Sequence, residues 1–224
     1  MSRNEGTRDK FQTKVIRFQL DQIMQHFSDT IQAIHAQFSV ADELNRAGRC
    51  IEGENIWRAQ IVFLASALDF YMHEITKYGL CEIYDESWEK TERYNNLQIS
   101  MTALEIALKS GEEIDWFLEY INDYYSRITM VSFDSVRDQL NLLGIDIIDV
   151  ANGAFYKRNG TEKTKNKFKR RLNELFDRRN LIAHQTDRKH INAQVENISE
   201  EIVKNFIDDI EAIVKAIDME VRKK

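Results

Sequence analysis

Apolar residues recur at every third or fourth position along most of the chain, which is the repeat of amphipathic helices and not the alternation of strands. Val15, Phe18, Ile23, Phe27, Ile31, Ile34 and Phe38 keep that period through residues 9–47, and no breaker comes before Gly48. This stretch reads as one long helix or a broken pair, with His26 and His35 as ordinary helix residues and Gly48 and Gly53 bracketing a turn. In the helix expected over 54–79, Ile61, Leu64, Ala65, Leu68, Met72 and Ile75 form one face, while Val62, Phe63 and Phe70 occupy others. A helix that is apolar on nearly all sides is central and buried.

The pattern continues with shorter pieces. Residues 80–111 are more polar, with a loop expected around 85–96 and a short helix over 100–109. A helix over 112–127 offers Ile114, Phe117, Leu118 and Ile121 as its buried stripe. Residues 131–133 are extended or a turn, and Ser132 or Asp134 caps a helix over 134–143 that Gly144 ends. The apolar 145–150 is ambiguous. A loop, AFYKRN, lies between Gly153 and Gly160 and leads to a basic helix that Thr161 is placed to cap. After a polar connection, QTDRKHINAQVEN, a closing helix over 199–221 carries Ile202, Phe206, Ile210, Ile213, Val214 and Ile217 on one face. The chain has no proline and eight glycines in 224 residues, in keeping with almost pure helix. No repeat or linker divides it, so 1–224 reads as a single all-α domain.

Composition narrows the class. With 43% apolar and 30% charged residues the chain has the make-up of a soluble globular protein. Its longest apolar run, 61–68, is far too short to cross a bilayer, and the N-terminus lacks the apolar core of a signal peptide. No membrane association is expected. Cys50 and Cys81 lack metal-ligand spacing and read as reduced thiols in a cytoplasmic protein, so the glycosylation-like triplets at Asn159 and Asn197 carry no meaning. Net charge is −6, yet residues 157–189 hold twelve Lys/Arg against four Asp/Glu, leaving the remainder near −14. Such asymmetry points to a polyanion-binding face; a merely solvated helix face is the plainer reading of the same charges.

The basic helix also carries an anomaly. Phe168, Leu172, Leu175, Phe176, Ile182 and Ala183 fall within a sector of about 120°, and Arg179 lies near its middle. An unpartnered buried guanidinium costs several kcal/mol, so Arg179 must meet a carboxylate, a carbonyl, a phosphate or another subunit. His184 lies about 140° further round, on the side of Asn180. On the apolar helix, Ser66, Asp69 and His73 form a narrow polar seam that needs satisfaction, and Asp69 is a candidate partner for Arg179. A structural hydrogen-bond seam accounts for these three equally well.

Arg179, Asn180 and His184 suit one chemistry. RNA is cut when its own 2′-hydroxyl attacks the adjacent phosphate, leaving a 2′,3′-cyclic phosphate. Histidine exchanges the proton near neutral pH, and arginine stabilises the phosphorane charge. Asn180 orients His184 or holds a phosphate oxygen, and two copies of the motif across a two-fold axis supply both an acid and a base. Lys165, Lys167, Lys169, Arg170 and Arg171 are the candidates for holding the RNA backbone. There is no phosphate-cradling Gly-rich loop, no H-E-x-x-H and no Cys cluster, so neither cofactor nor metal is expected.

The R-N-x-x-x-H pattern at Arg179, Asn180 and His184 ends a helix and is followed by a loop and one more amphipathic helix. It resembles the Arg-x(4–6)-His motif of the HEPN superfamily. The wider layout is similar too, from the long first helix through the SALDFYMHE helix to the closing one, and looks most like the group associated with RiboL-PSP systems. The resemblance implies a HEPN-like helical bundle with extra inserted helices. It also implies a metal-independent endoribonuclease acting as a homodimer, with a role in bacterial defence or a toxin–antitoxin pair and an antitoxin or regulatory protein as partner. Other members of the superfamily are inactive, so a non-catalytic module that binds RNA or protein is the alternative. A purely structural bundle leaves Arg179 unexplained.

Overall fold

The computed structural model describes residues 15–109, 115–157, 160–189 and 191–224. Residues 9–14 of the first expected helix, residues 112–114 of the fourth and residues 158–159 of the AFYKRN loop lie outside them.

After an extended lead-in, α1 (Leu20–Arg46) begins at Gln19, whose side chain pairs reciprocally with Gln22 in a capping box. Ile23, Phe27, Ile31, Ile34, Phe38 and Ala41 are buried at helical spacing and form the stripe that packs on α2. Gly48, at φ +77°, turns the chain. The second helix, α2 (Cys50–Tyr84), is longer at both ends than the apolar pattern predicts. Gly53 and Gly79 lie inside it instead of bounding it. A Cβ on Gly79 would come within 2.7 Å of the Trp88 and Leu143 side chains, so this glycine admits close packing there. The Gln60 amide donates to the Ile34 carbonyl at 2.8 Å, tying α2 to α1.

Among the described residues five short helices follow: α3 (Glu92–Asn95), α4 (Met101–Lys109), α5 (Trp116–Tyr125), α6 (Phe133–Leu142) and α7 (Ile147–Phe155). The expected loop at 85–96 therefore contains one helical turn. The ambiguous 145–150 belongs to α7, whose N-terminus the Asp146 carboxylate caps at the Ile148 N–H. Ser132, not Asp134, caps α6.

The motif helix is α8 (Thr164–Gln185), and α9 (Glu200–Val221) starts on a Ser199 cap. Thr161 does not cap α8; the helix opens at Thr164, with Lys163 before it and no side-chain cap. The helices bury one apolar cluster, in which α2 touches α1, α5, α6, α8 and α9. Among the described residues there is no strand beyond an isolated bridge between Arg188 and Val195. None of their helices is long and apolar enough to cross a membrane.

The two thiols differ in kind. Burial pushes Cys81 from 9.0 up to about 12, whereas Cys50 sits exposed at the start of α2. Since the thiolate is the reactive form, a maleimide at pH 8 should label Cys50 within minutes and Cys81 only after denaturation. Mass spectrometry of the folded protein reads this directly, and double labelling would refute the packing around α2.

Candidate functional site

The N-terminal half of α8 is anchored by Phe168, Leu172 and Leu175, all fully buried. Beyond them the cover thins. Phe176 and Ile182 are only partly buried, and Ala183 and His184 are exposed. The apolar sector runs on in sequence, but over its last two turns the described residues cover it only in part.

The helix ends at Thr186 and Asp187, which take left-handed φ values of 49° and 60°. Each costs a non-glycine residue about 1 kcal/mol. The Asp187 N–H returns to the Leu181 carbonyl at 3.0 Å, and its own carbonyl accepts from Glu196 at 2.9 Å. Its side chain is fully buried, where its Oδ2 accepts from Arg58 Nε at 2.9 Å and from Arg178 Nη2 at 2.8 Å. Arg58 also pairs with Glu54 at 3.1 Å, and Arg178 donates to the Asn197 carbonyl at 3.0 Å. Burial lowers the pKa of Arg178 from its ordinary value, with Asp187 acting in the opposite direction. One carboxylate thus joins α2, α8 and the connection to α9, which folds back through the Arg188–Val195 bridge.

Arg178, not its neighbour, is therefore the arginine with a buried carboxylate. Arg179 is half-buried and donates from Nη1 to Asn180 Oδ1 at 3.0 Å; it has no carboxylate partner among the described residues. His184 is exposed and makes no hydrogen bond to the described residues. Within one chain the two side chains leave the helix about 140° apart, with a rise of about 7.5 Å between them.

Asp69 does not meet Arg179. Its Oδ1 accepts from the Met130 N–H at 2.5 Å and lies 3.8 Å from His73 Nε2, which in turn bonds the Ile128 carbonyl at 2.8 Å. These two side chains clip the segment after α5 onto α2. Asp69 also lies about 16 Å further along α2 than Arg58. Ser66 is exposed, its hydroxyl turned back to the Val62 carbonyl at 3.0 Å. The seam and the motif are separate places on the molecule.

In the basic half of α8 the arginines are paired with carboxylates and the lysines mostly are not. Arg170 bonds Glu162 and Glu174, each at 3.0 Å, and Arg171 bonds Asp209 and, at 2.6 Å, Glu174. Lys167 lies 3.8 Å from Asp209 and over the Phe155 ring, and Lys169 lies over the Phe133 ring. Lys165 is exposed and makes no ion pair with the described residues. Nineteen residues separate it from His184, about 28 Å along the helix. Among the described residues no group of three or more His, Cys, Asp or Glu side chains is arranged to hold a metal ion.

Asp187, Arg58 and Arg178 did not stand out in the sequence. The signal was there for Arg58, a guanidinium on a helix apolar on nearly every side. Asp187 was hidden in a polar connection.

This is a helical bundle in which Arg179, Asn180 and His184 lie on the thinly covered last turns of α8. A family model described as RiboL-PSP-HEPN matches residues 19–222, and the chain belongs to that family. Neither a curated protein nor a solved structure matches it.

Removing the Asp187 carboxylate leaves two guanidinium groups facing one another below the surface. Asp187→Ala should lower unfolding free energy by about 3 kcal/mol, read from urea denaturation. A loss under about 0.5 kcal/mol, the range of ordinary surface changes, would show that the cluster does not hold the helix end.

Proposed function

We propose that the protein is a metal-independent endoribonuclease of the cytoplasm that cuts RNA by attack of the 2′-hydroxyl on the adjacent phosphate. The observation that carries this reading is the pair Arg179 and His184: among the described residues, a half-buried guanidinium with no carboxylate and an exposed imidazole with no hydrogen-bond partner. Structural arginines and histidines are normally satisfied; these two are left for a ligand. In the proposed mechanism His184 moves the proton, Arg179 holds the charge that develops on phosphorus, and Asn180 fixes the Arg179 guanidinium.

A second copy of the chain completes the site. The divergence of Arg179 and His184 within one α8 favours a cleft in which two motifs meet across a two-fold axis. Phe176, Arg179, Asn180 and Ala183 lie at i, i+3, i+4 and i+7 on one face. Phe63 and Phe70 stand 47% and 41% exposed on α2, the helix that packs on α8. We place the contact there. A role in bacterial defence or as the toxin of a toxin–antitoxin pair, with an antitoxin as protein partner, fits such an activity.

The second reading is a non-catalytic RNA- or protein-binding module. It is favoured by the carboxylates already seated on Arg170 and Arg171, which weaken the case for the N-terminal half of α8 as an RNA track.

His184→Ala should abolish cleavage of total RNA while leaving RNA binding close to wild type, and Arg179→Ala should cost about 100-fold or more in rate. EDTA should not change the rate, and 5′ fragments should end in 2′,3′-cyclic phosphate. Full activity of His184→Ala, or cleavage that EDTA stops, moves the assignment to the binding module.

Co-expression tests the shared site. A mixed dimer of Arg179→Ala and His184→Ala chains should recover cleavage that neither variant has alone, and Phe63→Glu with Phe70→Glu should give an inactive monomer by light scattering. A monomeric wild-type protein that cuts RNA rules out the two-chain site.

A further inference from the structure

A cavity of about 680 Å³ opens between the start of α2, the end of α8 and the Arg188–Val195 turn. Its position is set by the motif helix. Ile182, one turn beyond Arg179, forms one wall, and Thr186, two residues beyond His184, forms its rim. Ile182 lies about 60° round the helix from Arg179, so a strand bound at Arg179 would run past its mouth.

The lining is mixed in a particular way. Ile51, Ile182 and Val195 supply apolar walls, and Ile51 and Val195 are 74% and 43% exposed, so the apolar surface is open. Asn55 and Arg188 project polar atoms between them. Arg188 is clasped through Nη1 by the Ala193 carbonyl at 2.9 Å and has no carboxylate partner among the described residues. Arg58 lies behind, spoken for by Asp187 and by Glu54, the one carboxylate in the lining. The free charge facing the cavity is therefore positive.

The volume lies within the range of pockets for small organic ligands, and apolar walls with a few converging polar groups are the form such sites take. A planar guanidinium stacks on a base as well as pairing with phosphate, and an amide reads the edge of a base. We infer that this cavity is a subsite for one unstacked nucleobase of single-stranded RNA, next to the phosphate held at Arg179. Ile51 and Val195 sandwich the base, Asn55 bonds its edge, and Arg188 covers its face or holds its phosphate. The inference rests on the nuclease reading for the identity of the neighbouring phosphate, but binding tests it without cleavage. The Asp187 cluster pre-forms the pocket, since it fixes Arg58 on one side and the turn on the other.

The test uses the full chain and a fluorescein-labelled nonamer of 2′-fluoro RNA, which lacks the attacking hydroxyl and stays uncut. Anisotropy gives Kd for wild type, Ile51→Glu and Arg188→Glu, and for nonamers carrying one abasic site at each position in turn. Each variant should bind about tenfold more weakly. One abasic position should weaken wild type to the same degree and should add nothing to the loss in Ile51→Glu. Both residues are exposed, and circular dichroism verifies that the variants fold. If both variants bind like wild type while natural RNA is still cut, the subsite is overturned and the nuclease stands. If the variants lose binding but natural RNA is never cut, the subsite stands and the nuclease reading falls. If the nonamer does not bind at all, both fall.

Discussion

A single buried carboxylate governs the functional end of this molecule. Asp187 has no exposed surface, and its Oδ2 accepts from both Arg58 and Arg178. An isolated charge at that depth would carry a large desolvation cost; the two guanidinium groups offset it. The same residue holds a left-handed backbone conformation, which persists because bonds on both sides over-determine it. The end of α8, the return of the chain through the Arg188–Val195 bridge and the mouth of the adjacent cavity all inherit their positions from this contact. Such clusters contribute less to net stability than to the choice of one arrangement over others.

That arrangement divides α8 in two. Its first half is driven into the core by Phe168, Leu172 and Leu175, and its charged side is folded down onto Glu162, Glu174 and Asp209. These ion pairs are only partly buried and each is worth little. A phosphate backbone can displace them, but the counter-charge it must displace belongs to the protein, and the gain is smaller than a run of free lysines would bring. The second half is held at its tip by Asp187 and left open along one face. Arg179 and His184 lie on that open length, so the part of the helix least committed to packing carries the groups least committed to partners.

The contrast between Arg178 and Arg179 shows what adjacency hides. The two are neighbours in sequence, of the same type, about 100° apart round the helix. One reaches a carboxylate nine residues further on and is structural; the other reaches none among the described residues. On a helical wheel the second sits nearer the centre of the apolar sector, which is why it looks like the buried one. A wheel assumes that a neighbour covers the sector along its whole length. Here the cover thins over the last two turns.

Local periodicity was enough for the long helices, though not for the start of α1 or for α3 and α7, because burial of an apolar stripe is decided by spacing within each segment. The stripe of α1, the all-round burial of α2, the closing helix and the motif at the end of α8 follow from such spacing alone. Family membership was equally legible, since it rests on the order of these elements and on Arg179, Asn180 and His184. The continuation of α2 through Gly79 was not, because it depends on Trp88 and Leu143 pressing on that position. Nor were the pairing of Asp187 with Arg58, 129 residues away, the clipping of Asp69 to Met130, or the pairing of the basic helix's arginines with Glu162 and Asp209. Charge partners are chosen by proximity in space and by exclusion of water, and a sequence states neither; which cations are spent on the fold and which are left for a substrate is decided only when the helices pack.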